Sequence, residues 1–267
     1  MRPGPSSERA VILAPKGRDA SVAAAVAGAD AVVNLVGVLY SKGRQTFEAV
    51  HVDGAKRIAM AARAAGAGRF VQMSALGADP NSPSDYARSK AAGEAAVRDV
   101  FPAATVVRPS IVFGPEDSFF NRFAAMARIA PALPLIGGGR TRFQPVYVGD
   151  VAAAIAQLLD RPETAGRTYE LGGPEVLDFR ALMQRLLVEI GRKRMLVPVP
   201  FWAASLKASF LGLLPVPPLT RDQVRLLRSD NIVGGSQPGL AALGLEPTAM
   251  VAILPSYLAR YRRGARL

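Results

Sequence analysis

Cysteine is absent from these 267 residues, and histidine occurs once, at position 51. Disulfides, thiol nucleophiles and thiolate metal sites are therefore excluded, as is a zinc centre built on several histidines. A Ser-His-Asp hydrolase would have to recruit His51, which stands in a helix-like stretch beside no nucleophile motif. No acidic cluster suggests a magnesium site, so no metal is expected. Nor is there an apolar run of about 18 residues or more to span a bilayer. The nearest candidate, residues 196–219, is interrupted by Pro198, Pro200, Pro215, Pro217 and Pro218. Its helical part, 201–214, would be roughly 21 Å long, too short to cross. Arg2 is followed by no apolar stretch of the secretory kind.

Half of the residues are apolar, enough for a sizeable core in one domain with a subdomain. The net charge is +12, and 27 of the 33 basic residues are arginine. Such a balance suits anionic cofactors, acidic lipid or nucleic acid. The charges are scattered, however, with the densest group in the tail: Arg260, Arg262, Arg263 and Arg266. No aromatic platform accompanies them, so nucleic acid is not expected as a partner.

Along the first 165 residues, apolar strand-like runs alternate with helix-like ones. AVILA (10–14), DAVVNLVG (30–37), RFVQMS (69–74) and TVVRPSIVFG (105–114, broken by Pro109) read as strands. Helices are expected from Asp19 to about Ala27, from about Thr46 to Ala65, and from near Asp85 onward. Continuous apolar strands separated by helices predict an α/β fold, a parallel sheet covered on both faces. Residues 1–165 are expected to form this domain. Residues 166–267 would form a smaller, mainly helical lobe, interleaved with the first and with an approximate boundary. Helices are expected near 178–190, 201–214, 220–228 and 247–262. Trp202, with Phe201, Phe210 and Leu213, reads as core, the alternative being an amphipathic segment in a membrane interface. His51 reads as a helix-surface or cofactor-rim residue, the alternative being a core histidine.

Bond-making chemistry is suggested at one place, Tyr86 and Lys90 in DYARSK. Four residues apart on a helix, a phenol and an ammonium share a face. The ammonium favours the phenolate, so Tyr86 is expected to titrate below its ordinary value of about 10 and to serve as acid or base near neutral pH.

The pair stands between other recognisable phrases. NLVG (34–37) closes a strand, Ser74 closes the next, YARSK follows, and RPSIVFGPED (108–117) comes after the strand beyond. In that order they resemble the extended or atypical short-chain dehydrogenase/reductases, the NAD-dependent epimerase/dehydratase superfamily. GADAVVNLVG, MSALGAD, FNRF, LIGGGRTRFQPVYVGDVA, YELGGPE, PPLTRDQVRLLRSDN and LPSYL are similar to the Rossmann-type accessory subunits of respiratory complex I and their bacterial homologues. The resemblance implies a doubly wound Rossmann-like sheet that binds NADP or NAD and a small-molecule substrate of unknown identity. It makes Tyr86 the acid/base and has Lys90 orient the nicotinamide ribose. Asn34, Leu35, Val36 and Gly37 would line the cofactor, and Pro109, Ile111 and Val112 would pass the nicotinamide amide. Ser74 becomes the hydroxyl that polarises a substrate carbonyl, although that position aligns equally with Ala75. Asp150 would lie at the lobe junction, and Gly137 to Gly139 would border the substrate side.

The departure is at the front. No G-x-G-x-x-G or G-x-x-G-x-x-G occurs, and AVILA aligns with the family's third strand. The pyrophosphate turn and the residue that separates NAD from NADP precede that strand in the family. The expectation is a Rossmann-like fold lacking its first β-α-β unit, with impaired cofactor binding, either through a misassigned start or because the chain is real as written and is then unstable, partner-completed or non-binding. The resemblance further implies a cytoplasmic location, peripheral at the inner face of the membrane, with contact to a respiratory complex or quinone-related partner through 196–219 and the basic tail. Oligomeric state is not legible.

Overall fold

The structure, a computed structural model, describes residues 19–212, 214 and 216–262. The expected strand 10–14 and the tail arginines 263 and 266 lie outside the described residues. The chain opens with α1 (Asp19–Val26) and strand β1 (Ala31–Asn34). A π-helical segment, Glu48–Gly54, runs directly into α2 (Ala55–Ala64). Gly66, at φ 76°, stops that helix in the left-handed conformation a side chain disfavours. Then come β2 (Arg69–Met73), α3 (Asp85–Val100), β3 (Thr105–Pro109) and the two-residue strand β4 (Val112–Phe113). Ser84 caps α3 by accepting the Ala87 amide.

The middle of the chain holds α4 (Phe120–Ile129), β5 (Ala132–Ile136), β6 (Arg142–Phe143), β7 (Val146–Tyr147) and α5 (Val148–Asp160). After β8 (Thr168–Leu171) follow β9 (Leu177–Asp178), α6 (Phe179–Glu189), β10 (Met195–Val199), α7 (Phe201–Leu211), α8 (Arg221–Leu226) and α9 (Met250–Leu258).

Four strands form one parallel sheet in the order β1-β2-β3-β8. Alternation along β2 sends Phe70 and Val71 to opposite faces. Phe70 packs with Val22, Val26, Ile58, Val97 and Phe101 from α1, α2, α3 and the turn after α3. Val71 packs with Val107, Val151, Leu158 and Leu171, on the side covered by α5. Burial on both faces is why these strands read as unbroken apolar runs. Among the described residues β1 is an edge, paired with β2 alone.

A second hydrophobic core is built on Phe113, Phe120, Leu133, Leu135, Leu182, Met183, Leu186 and Leu254. It contains α4, and its strands cross the chain: β10 pairs with β5 and β9 with β6, while β8 belongs to the main sheet. The Trp202 core expectation is corrected. Helix α7 turns its small residues, Ala204 and Ala208, inward against Val224 of α8. Trp202 is 72% exposed, and Leu206 and Phe210 share its outer face at four-residue spacing.

Candidate active site at the strand ends

The carboxyl ends of β1, β2 and β3 lie side by side, the edge where open parallel sheets place ligands. From β1, Asn34 is buried and shapes the turn that follows. Its Nδ2 donates to Gln72 Oε1 (2.8 Å) and its Oδ1 accepts the Val36 amide (3.1 Å). Leu35 projects outward, 58% exposed. At Gly37 an added Cβ would stand 3.1 Å from Lys90 Nζ and 3.5 Å from His51 Nε2. The backbone of this turn thus closes over the Lys90 ammonium at a distance only glycine permits without a shift.

Tyr86 and Lys90 stand in the first two turns of α3. Lys90 Nζ lies 5.8 Å from the centre of the Tyr86 ring and donates to the Met73 carbonyl (3.4 Å). Burial drives both groups toward their neutral forms. Lys90 falls to about 8, partly offset by Glu94, and Tyr86 rises to about 12. The expected lowering of the Tyr86 pKa is therefore reversed. The ammonium sits beside the ring and is turned to a backbone carbonyl, so desolvation of the phenolate outweighs its attraction.

His51 is a core histidine, 3% exposed, in place of the surface or rim residue expected. Its Nε2 accepts the Val38 amide (3.0 Å), which places the ring proton on Nδ1, and Nδ1 donates to Ser89 Oγ (2.8 Å). Ser89 in turn donates to the Tyr86 carbonyl (2.8 Å). The imidazole is stacked on Phe47 and meets the Tyr86 ring edge to face at 5.5 Å. Burial, with Lys90 nearby, holds its pKa down to about 4, so it is neutral at physiological pH. This chain from Val38 through His51 and Ser89 to Tyr86 ties the turn after β1 to α3. Its sequence signal was weak, a lone histidine in a helical run.

Ser74 is also buried, and its hydroxyl donates to Glu94 (2.5 Å). Glu94 is gripped by Arg108 through two hydrogen bonds (2.9 and 2.7 Å), with Glu170 3.8 Å from the same guanidinium. The hydroxyl is committed to this ion-pair network. Pro109 joins the same edge, its carbonyl accepting the Leu76 amide (3.0 Å). Ile111 and Val112 continue along β7, Ile111 by accepting the Val146 amide (2.9 Å) and Val112 by pairing with Val146. The Asp150 carboxylate is taken by Thr248, accepting its amide (2.7 Å) and its hydroxyl (2.8 Å). Gly137, Gly138 and Gly139 all adopt positive φ, and Gly137 abuts the Phe201 ring.

A parallel sheet with a Tyr-x-x-x-Lys pair at its strand ends is matched by the family model for the NAD dependent epimerase/dehydratase family over residues 16–172. The chain belongs to that family. Within it, the chain is 37% identical over 255 residues to the mitochondrial NADH dehydrogenase (ubiquinone) 1 alpha subcomplex subunit 9 of Arabidopsis thaliana. That alignment covers 91% of this chain and 63% of the plant protein. It is also 37% identical over 153 residues to a ceramide reductase of Caulobacter vibrioides, covering 57% of this chain and 45% of the relative. The crystal structure of the dTDP-glucose 4,6-dehydratase DesIV from Streptomyces venezuelae, with NAD bound, superposes with a TM-score of 0.69 at 21% identity. It covers 92% of this chain and 77% of that one, and shows the shared fold. This chain thus spans under two-thirds of the length of the curated relatives named.

The turn Asn34–Gly37 and the Tyr86–Lys90 pair stand together at the strand ends, with the Gly37 backbone packed closely against the Lys90 ammonium. No glycine-rich turn opening a helix, which would receive the pyrophosphate, is found among the described residues. Nor does any group of three or more His, Cys, Asp or Glu side chains among them suit a metal ion.

Proposed function

We propose that this protein is an NAD(P)-binding member of its family whose site is arranged for carbonyl reduction, with Tyr86 as the proton donor. The observation that carries this reading is the closure of the Gly37 turn over Lys90 beside Tyr86. A bound NADPH or NADH would supply the hydride. Lys90 would hydrogen-bond the ribose hydroxyls, and Asn34 to Gly37 with Pro109, Ile111 and Val112 would border the cofactor. Because burial pushes Tyr86 up to about 12, the phenol is protonated at rest. It is thus loaded to give a proton to a carbonyl oxygen as the hydride arrives at carbon. Similarity to a reductase supports this direction.

Fluorescence titration with NADPH and NADH, paired with turnover of a panel of small ketones, tests the reading. Tyr86→Phe is expected to abolish turnover while leaving nucleotide affinity within about twofold. Turnover unchanged in Tyr86→Phe sinks it.

A second reading is favoured by the similarity to the complex I subunit and by the outer face of α7. Trp202, Leu206 and Phe210 are exposed there beside exposed Lys207, and Val216 follows at 72% exposure. On this reading the protein is a nucleotide-binding accessory subunit docked on a respiratory membrane complex, cytoplasmic and peripheral at the membrane's inner face. Among the described residues no helix is long and apolar enough to cross a membrane. Arg260 and Arg262 bond to Pro115, Asn121 and Glu189, so contact would rest on α7 more than on the tail. Vesicles rich in anionic lipid should bind the parent and release it when Trp202 and Phe210 are both changed to serine.

A further inference from the structure

Tyr86 lies in the first turn of α3, where backbone N–H groups have no partner within the helix. One is met locally, Ser84 Oγ accepting the Ala87 amide (3.3 Å). The others are met from more than 130 residues away. Asp222 of α8 accepts the Asp85 amide (2.8 Å), the Tyr86 amide (3.0 Å) and the Ser84 hydroxyl (2.8 Å). A carboxylate on a helix N-terminus, receiving three hydrogen bonds and only 12% exposed, is a strong and directional anchor.

Asp222 is itself held. Thr220 and Gln223 form a reciprocal cap on α8, and Val224 packs under Ala204 and Ala208. Beyond α8, Asp230 pairs with Arg142, and Asn231 accepts the Ser110 hydroxyl (2.7 Å), next to Pro109. The stretch 220–231 therefore ties the N-terminus of the catalytic helix to the strand end beside Pro109. This is the PPLTRDQVRLLRSDN phrase, to which the site chemistry assigns no role.

We propose that Asp222 is a positioning residue for Tyr86, held in place by the stretch 220–231. The inference rests on the reading of Tyr86 as the proton donor. The side chains facing the Tyr86 ring are Lys90 from its own helix and His51 and Phe47 from the π-helical segment and its start. Asp222 acts from the opposite side, on the backbone. With Asp222 in place these three bonds hold the first turn of α3 and the half-buried phenol it carries; without them the turn loosens and the phenol gains water.

The test uses the full chain with 3-fluorotyrosine in place of tyrosine, which brings phenol titration into a milder pH range. The fluorine signal lost in Tyr86→Phe identifies Tyr86. Asp222→Ala should lower the Tyr86 midpoint by about one unit or more, as burial is relieved, with Tyr147 and Tyr169 unmoved. Asp222→Asn, which keeps an acceptor and removes the charge, should restore most of the parent value. Thr220→Ala, which loosens α8 without touching α3, should shift Tyr86 in the same direction by less, and it decides the matter if Asp222→Ala does not fold. An unmoved Tyr86 signal, a shift shared by all tyrosines, or Asn behaving as Ala would each overturn the proposal. Because the readout needs neither nucleotide nor substrate, its failure is separate from failure of the carbonyl-reduction reading.

Discussion

The His51 carbonyl oxygen lies 2.1 Å from where a Cβ on Gly93 would stand. Helix α3 therefore meets the π-helical segment at a point where no side chain fits. Gly93→Ala must push the two apart, and overpacking of this kind costs about 1–3 kcal/mol. The same displacement would disturb the His51–Ser89–Tyr86 connection, whose bonds are 2.8 Å long. Urea unfolding should show a lowered midpoint, and the Tyr86 environment should change with it.

His51 makes stability depend on pH. Its folded pKa of about 4 lies below the ordinary 6.5, so between these values the unfolded chain binds the extra proton. The stabilisation is complete above pH 6.5 and is lost as pH falls toward 4, by at most about 3 kcal/mol. Urea midpoints at pH 7.5 and 4.5 should differ more for the parent than for His51→Gln.

Arg108 and Glu94 form a largely buried pair, with 22% and 5% of their side chains exposed. Removing one partner strands the other, at a cost of about 3–5 kcal/mol. Arg108→Met should therefore destabilise strongly by thermal unfolding. The double change of Arg108→Met with Glu94→Leu should recover much of the loss.

Lys90→Met removes an ammonium whose pKa is already depressed to about 8. Loss of the proposed ribose contact should weaken NADPH binding by about 10-fold, in the range of a hydrogen bond to a charged group. Stability should rise or stay level, because a buried charge has been removed. Calorimetric titration and melting curves check the two halves separately.

Much of the fold was legible because burial on both faces leaves a plain mark. DAVVNLVG, RFVQMS and TVVRP became the three adjacent strands β1, β2 and β3. The helix expected from near Asp85 begins there, capped by Ser84, and the one expected to end at Ala65 stops at Gly66, both through chemistry that is local. Helix α4 and the β5–β10 pair were not foreseen. The run FNRFAAMARI is rich in alanine, and Pro198 lies within β10, where proline argues against a strand. β10 sits at the edge of a two-stranded sheet, the place that tolerates it.

The sequence by itself determined the family, through the order of its motifs, and it determined the parallel sheet and the pairing of Tyr86 with Lys90, since periodicity, capping and i,i+4 spacing are local properties of the chain. Tertiary structure decided what those groups are. Packing removed water from Tyr86 and raised its pKa where spacing alone predicted the reverse. It buried His51 beneath the Gly37 turn, committed Ser74 to Glu94, turned Trp202 outward, and brought Asp222 across to the helix that carries Tyr86. Desolvation and long-range hydrogen bonds depend on which distant residues arrive together, and no local pattern encodes that.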